Sequence, residues 1–214
     1  MKNAGMKNAA MKIAICLVFC ALAFAADSAK ISFSKSFPGS APAFFSITVD
    51  RTGAGTYNES EDPDNAEKLQ LEPAAGAQLF EIAERLDYFK KPLESGLKVA
   101  NMGMKTVRWE NGAEKGEAKF NFSVNEDAKA LADIFERIAD SSRMLLELKR
   151  VMRHDKLGVN DAMLRILGAW ENKRLLATPQ FLPVLDQVAA NEAFIHMARD
   201  RAARIADGIR AANP

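Results

Sequence analysis

The strongest constraint on the fold is a change of hydrophobic period along the chain. Two segments alternate apolar and polar residues with period two, as strands do. Each is followed by a segment whose apolar residues recur every three or four positions, as on a helix. From Ser141 onward only the helical spacing continues. This order predicts an α+β fold, in which an antiparallel sheet from two strand-strand-helix units is followed by an all-helical C-terminal subdomain.

The predicted strands are short and are separated by residues that favour turns. In the first unit, residues 31–33 and 45–49 alternate, and residues 68–72 are expected to add a short strand. In the second unit, the alternation covers residues 104–110 and 117–124, on either side of an Asn-Gly pair. Asn-Gly is favoured in tight hairpins, so these last two strands are predicted to pair directly.

The helices that follow the strands are predicted to pack on one face of the sheet. Their apolar positions are Leu79, Ile82, Ala83, Leu86 and Phe89 in the first unit, and Leu131, Ile134, Phe135 and Ile138 in the second. Each set forms one stripe of an amphipathic helix. We therefore assign residues 26–140 to an α+β domain, with a possible ββα duplication, and residues 141–214 to the helical subdomain.

The N-terminal 25 residues have the pattern of a secretory signal peptide. Three lysines precede an apolar run of 13 residues that ends in Ala-Phe-Ala. Thirteen helical residues span about 20 Å, which is less than the roughly 30 Å of bilayer hydrocarbon. The true start can be Met1, Met6 or Met11, since each leaves a lysine before the run. We expect an exported bacterial protein, periplasmic or extracellular, with no integral membrane segment after cleavage.

The composition of the exported chain excludes two classes of function. Both cysteines, Cys16 and Cys20, lie in the apolar run, so the mature chain has neither a disulfide nor a thiol nucleophile. Loss of the three N-terminal lysines leaves 26 basic residues against 28 acidic ones. This near balance argues against a nucleic-acid partner.

One candidate metal site lies near the C-terminus. Glu192, His196 and Asp200 have the i, i+4, i+8 spacing that places a carboxylate, an imidazole and a carboxylate on one helix face. Such a face can hold a divalent metal, and it makes a metal-assisted hydrolase one possible function. The alternative is a solvated helix edge, since the chain has only two histidines and no outside ligand suggests itself. No other cofactor is expected.

Two aromatic residues suggest a site for a partner. Phe44 is out of phase with the buried set of its strand, and Trp109 is opposed to Met104 and Thr106 on another strand. If both lie on an uncovered sheet face, they form an exposed aromatic patch suited to a protein partner or an apolar ligand. The alternative is that the C-terminal helices cover that face.

The end of the chain resembles a known helical repeat. Residues 181–188 include a Leu-Pro-x-Leu step, and residues 191–209 form a segment rich in Arg and Ala that closes on Ile. Over about residues 178–210 this pattern resembles a HEAT-type helical pair, which implies a helical packing or protein-docking surface. Stacked repeats need about three units to bury a continuous core, so we do not expect a solenoid. The overall layout is similar to that of many exported bacterial proteins.

These observations favour a binding or interaction module in the cell envelope or outside the cell. The chain shows no assembled catalytic constellation, so an enzyme is the less favoured alternative and would be the metal-assisted hydrolase described above. A structural envelope component is the third possibility.

Overall fold

The computed structural model describes residues 29–212, which form a six-stranded antiparallel sheet and five α-helices. The strands are β1 Lys30–Ser36, β2 Phe44–Asp50, β3 Ala54–Asn58, β4 Glu67–Gln70, β5 Met104–Asn111 and β6 Glu114–Phe120. The helices are α1 Pro73–Arg85, α2 Glu126–His154, α3 Gly158–Glu171, α4 Leu182–Ala190 and α5 His196–Ala212. The predicted α+β class is confirmed, and the predicted signal peptide, residues 1–25, lies outside the described residues.

The sheet has the strand order β4-β3-β2-β1-β5-β6. Strand β1 is central, pairing with β2 on one side and with β5 on the other. Four strands therefore precede α1, whereas only β5 and β6 lie between α1 and α2. Strand β6 ends at Phe120, earlier than the alternation to residue 124 predicts, and Val124 is exposed.

Helices α1 and α2 pack on one face of the sheet, as the apolar stripes predict. The side chains of Ile31, Phe33 and Val107 point toward the helices and are at most 1% exposed. Phe33 stacks on Phe135 of α2, with 4.9 Å between ring centroids. The buried side chains between the sheet and these helices form one cluster, which we call the sheet core. Burying each such side chain contributes about 1.5–3 kcal/mol.

A second cluster, the helical core, lies among the second half of α2 and helices α3 to α5. Leu148 of α2, Ile166 of α3 and Ile205 of α5 are fully buried in it. The boundary predicted between residues 140 and 141 falls inside α2, which continues without a break from one core into the other. The pair that resembles a HEAT unit consists of α4 and α5.

The segment 172–178, which links α3 to the next helix, crosses the seam between the two cores. The Glu72 carboxylate, at the start of α1, accepts hydrogen bonds from the Ala177 amide at 3.1 Å and the Thr178 amide at 2.7 Å. The Ser141 hydroxyl accepts one from the Leu176 amide at 2.9 Å, and the Arg137 guanidinium donates to the Lys173 carbonyl at 2.7 Å. These contacts fix the segment to both α1 and α2.

Candidate binding face

The face of the sheet opposite α1 and α2 is the candidate site. In residues 29–212 the helices cover only the other face, so the outward side chains of β1, β2 and β5 keep contact with solvent. Most of these side chains carry hydroxyl groups, and we call this surface the open face. Its members are Lys30, Ser32, Ser34 and Ser36 on β1, Phe44, Ser46, Thr48 and Asp50 on β2, Met104, Thr106, Arg108 and Glu110 on β5, and Thr56 on the neighbouring β3.

The strand register arranges these side chains in rows across the sheet. The central row contains Ser46, Ser34 and Thr106 on β2, β1 and β5. The neighbouring row contains Thr56, Thr48, Ser32 and Arg108, and a shorter row contains Phe44, Ser36 and Met104. Adjacent members of a row are about 4.8 Å apart across the strands, and the rows are roughly 6.8 Å apart along them. The result is a two-dimensional array of hydroxyl groups.

The loop between β3 and β4, residues 59–66, forms a wall along one side of the open face. Asn58, at the end of β3, is 7% exposed because its side chain is held by the loop. Its amide nitrogen donates to the Asp62 carbonyl at 2.6 Å, and its amide oxygen accepts from the Ser60 amide at 2.9 Å. A cavity of about 520 Å³ lies between this wall and the sheet, and Ser60 and Pro63 line it together with the strand residues. That volume lies within the range of small-ligand sites.

The charges of the open face compensate each other. Arg108 forms an ion pair with Glu117 on the adjacent strand, and Lys119 approaches the same carboxylate at 3.2 Å. Hydrogen bonds from Arg108 and Lys119 lower the pKa of Glu117 below its usual value. The hydroxyl groups of Ser32 and Thr48 form a hydrogen bond with each other, with 3.0 Å between their oxygen atoms. The open face is therefore polar and nearly neutral.

The predicted aromatic pair does not form. Phe44 lies on the open face and is half-buried there, but Trp109 points to the opposite face and is 2% exposed. The expectation that Trp109 shares the face of Phe44 was therefore wrong. On β5 the inward set is Val107 and Trp109, so Met104 takes the outward position and is 47% exposed.

Trp109 is packed between the sheet and the residues that cover its inner face. Its ring packs against Phe80 of α1 at 5.7 Å and against Tyr88 at 4.6 Å, measured between centroids. Gly116 lies opposite it on β6 and carries no side chain, which lets the backbone of Tyr88 approach the strand. The candidate binding residues on the open face are therefore serines and threonines, and not Trp109. They occupy the polar positions of the alternating strands, so the pattern that identified the buried residues could also have identified these serines and threonines.

The predicted metal-binding face is also not formed as expected. Helix α5 begins at His196, so Glu192 lies in the preceding turn and does not share a helical face with the other two residues. The His196 Nδ1 atom is 3.0 Å from a carboxylate oxygen of Asp200, and both side chains are well exposed. Within residues 29–212, no group of three or more potential ligands is placed to hold a metal ion.

Comparisons with known proteins do not bear on the role of the open face. No known protein family matches the chain, and no curated protein matches it. None of the described helices combines the length and the apolar character needed to cross a bilayer. The functional argument therefore rests on the geometry of the open face.

Proposed function

We propose that the protein is exported and acts as a binding module, and that the open face binds an uncharged polyhydroxylated ligand, namely an extracellular glycan. The observation that carries this proposal is a sheet face that the described helices do not cover and that is rich in hydroxyl groups. Covering such a face with an apolar partner would desolvate many hydroxyls without giving them new hydrogen bonds.

The chemistry of the open face favours a glycan. A serine or threonine hydroxyl donates one hydrogen bond and accepts up to two, so it can pair with a sugar hydroxyl in either direction. The ring of Phe44, at one end of the array, offers an apolar surface to the C–H groups of a sugar ring. Arg108 is paired with Glu117, and the acidic side chains of Asp50 and Glu110 oppose the charge of Lys30 in the same row, so the face offers no excess of one charge to an ionic ligand.

A protein partner is the less favoured occupant. Protein interfaces are enriched in aromatic residues and methionine at their centres. On the open face the large apolar side chains are Phe44 and Met104, and both lie in the outermost row. The central row contains only hydroxyl-bearing residues on β2, β1 and β5.

The test measures retention of the mature chain, residues 26–214, on insoluble peptidoglycan, cellulose and chitin. Ser34→Arg places a long charged side chain at the centre of the array and should weaken retention at least tenfold, about 1.4 kcal/mol. Gln187→Arg adds the same charge on the exposed surface of α4 and should leave retention unchanged. Equal retention of the two variants, or no retention of wild-type protein on any glycan, would contradict the proposal.

The same variants separate a glycan from a protein partner. If an envelope protein binds the wild-type chain stoichiometrically and Ser34→Arg abolishes that binding, the open face is a protein interface instead. Export itself is tested by mass spectrometry of the protein from the periplasm and medium of the producing cell. We expect a chain that begins at Ala26, and a chain that retains residues 1–25 inside the cell would contradict export.

A further inference from the structure

The open face is concave, because short side chains at its centre lie between taller features on both sides. We call the short side chains the floor, and they are Ser46, Ser34 and Thr106 of the central row and Thr48 and Ser32 of the neighbouring row. Each carries its hydroxyl group on Cβ, so none extends far above the backbone of the sheet. The cavity of about 520 Å³ lies over this floor.

On the β3 side the floor is bounded by the wall. Ser60, Pro63 and Ala66 of the wall line the same cavity as the floor, so the wall extends beyond the level of the strands. Hydrogen bonds fix both of its ends. The Tyr57 hydroxyl donates to the Glu59 carboxylate at 2.6 Å, and the Ala66 amide donates to the Pro63 carbonyl at 3.2 Å. The wall is therefore an ordered border of the floor.

On the opposite side, longer charged side chains border the floor. Arg108 of β5 lies on the open face, and Glu117 and Lys119 of β6 share that face because they pair in register with Arg108 and Thr106. The Glu117 carboxylate forms ion pairs with both cations, and Arg108 also lines the cavity. We call these three side chains the charged border. Between the wall and the charged border, the floor spans β2, β1 and β5, which is two strand spacings or about 10 Å.

The two borders give the floor a direction. The wall follows β3 at the edge of the floor, and Glu117 and Lys119 lie along β6, so both borders run with the strands. Along β2 the floor begins beside Phe44 and ends before Asp50, which pairs in register with Lys30. The surface is therefore a trough that is parallel to the strands, with an aromatic ring at one end and charged residues at the other.

We propose that the open face binds one free glycan chain, which lies along β1 and β2 in this trough, and that it does not bind flat crystalline polysaccharide. A flat, rigid surface would rest on the wall and on the charged border, so the floor hydroxyls would not reach it within hydrogen-bond distance. A single chain can enter the trough and pair its hydroxyls with those of Ser34 and Ser46. This inference rests on the glycan-binding function proposed above and specifies the physical form of the ligand.

The ligand test compares glycans in different physical forms. By calorimetry, the mature chain should bind at least one of three soluble hexasaccharides, which come from cellulose, from chitin and from the glycan strand of peptidoglycan. If that sugar comes from cellulose or chitin, retention on the swollen, amorphous polymer should exceed retention on the crystalline polymer at least tenfold, about 1.4 kcal/mol. Equal retention on both forms, or retention on a crystalline polymer without binding of any hexasaccharide, would overturn this inference and leave the glycan proposal intact. No binding to any glycan in any form would overturn both.

A variant of the wall then locates the chain in the trough. Ala66 is half-buried and lines the cavity, so Ala66→Leu narrows the trough without removing a floor hydroxyl. It should weaken hexasaccharide binding at least tenfold, about 1.4 kcal/mol. Ala130→Leu adds the same volume on the exposed surface of α2, which packs on the other face of the sheet, and should leave binding unchanged. If Ser34→Arg abolishes binding but Ala66→Leu binds as tightly as Ala130→Leu, the sugar does not lie against the wall. The inference would then be wrong, whereas the proposed function would stand.

Discussion

The hydrogen bonds of Glu72 should make a large and specific contribution to stability. Its carboxylate accepts bonds from the amides of Ala177 and Thr178, and a third from the Thr178 hydroxyl at 2.6 Å. Glu72 precedes α1 but its side chain makes no capping bond to that helix. The loss of its side chain therefore reports on the seam between the two cores, and not on the start of α1.

The expected magnitude follows from the number and kind of these bonds. A hydrogen bond to a charged group contributes about 1.5–3 kcal/mol, but Glu72 is half-buried and water replaces part of the loss. We therefore expect Glu72→Ala to lower the free energy of unfolding by about 3 kcal/mol. For a chain of this size that corresponds to a decrease in Tm of roughly 6–12 °C. Glu72→Gln keeps an acceptor and should lose less.

The assay is urea unfolding followed by circular dichroism and by tryptophan fluorescence. Glu84→Ala is the matched control, because Glu84 is an exposed acid on α1 whose side chain makes no hydrogen bond or ion pair within the described chain. It should change the free energy of unfolding by less than about 0.5 kcal/mol. If Glu72→Ala and Glu84→Ala are equally stable, the seam bonds do not stabilise the fold and the reasoning is refuted.

Two further predictions concern Gly116 and Lys105. Gly116→Ala should destabilise the protein by about 2 kcal/mol or more in thermal unfolding, because its Cβ would overlap the backbone carbonyl of Tyr88, whereas Gly168→Ala, with open space, should not. Burial, and secondarily the nearby charge of Lys35, lower the pKa of Lys105 from 10.5. The unfolded chain then holds this proton to higher pH than the folded chain, so the stability of wild type relative to Lys105→Met should rise as the pH increases toward 10.5. A pH-independent difference in urea unfolding between pH 8 and 10 would contradict this.

The sheet was largely predictable because strand periodicity is a local property. The alternation in residues 45–49 identifies β2, and the glycines that follow it identify the turn to β3. The same rule does not decide which of two alternating sets faces the core. On β5, Met104 and Thr106 compete with Val107 and Trp109, and only the packing of α1 and Tyr88 on the sheet resolves the choice.

Other features depend on contacts that no local pattern contains. The bonds of Glu72 join residues more than a hundred positions apart. Asp87, Tyr88 and Phe89 adopt positive φ angles of 52°, 51° and 64°, although none of them is glycine. Residues other than glycine adopt this left-handed backbone conformation only when their surroundings require it. The start of α5 at His196 likewise depends on the turn that precedes it, and this removed Glu192 from the predicted metal face.

The hydroxyl rows of the open face were predictable in principle, since Ser32, Ser34, Ser46 and Thr48 occupy the polar positions of two alternating strands. The sequence alone does not show that none of the described helices covers these rows.

Helix α2 has a mechanical consequence for the whole molecule. Its 29 residues extend over about 43 Å and are shared by both cores. A bending motion between the cores would have to break backbone hydrogen bonds inside this rod, since no flexible linker joins its two halves. We therefore expect the amides near Ser141 to exchange with solvent only during global unfolding, and the two ends of the molecule to lose their structure in a single transition.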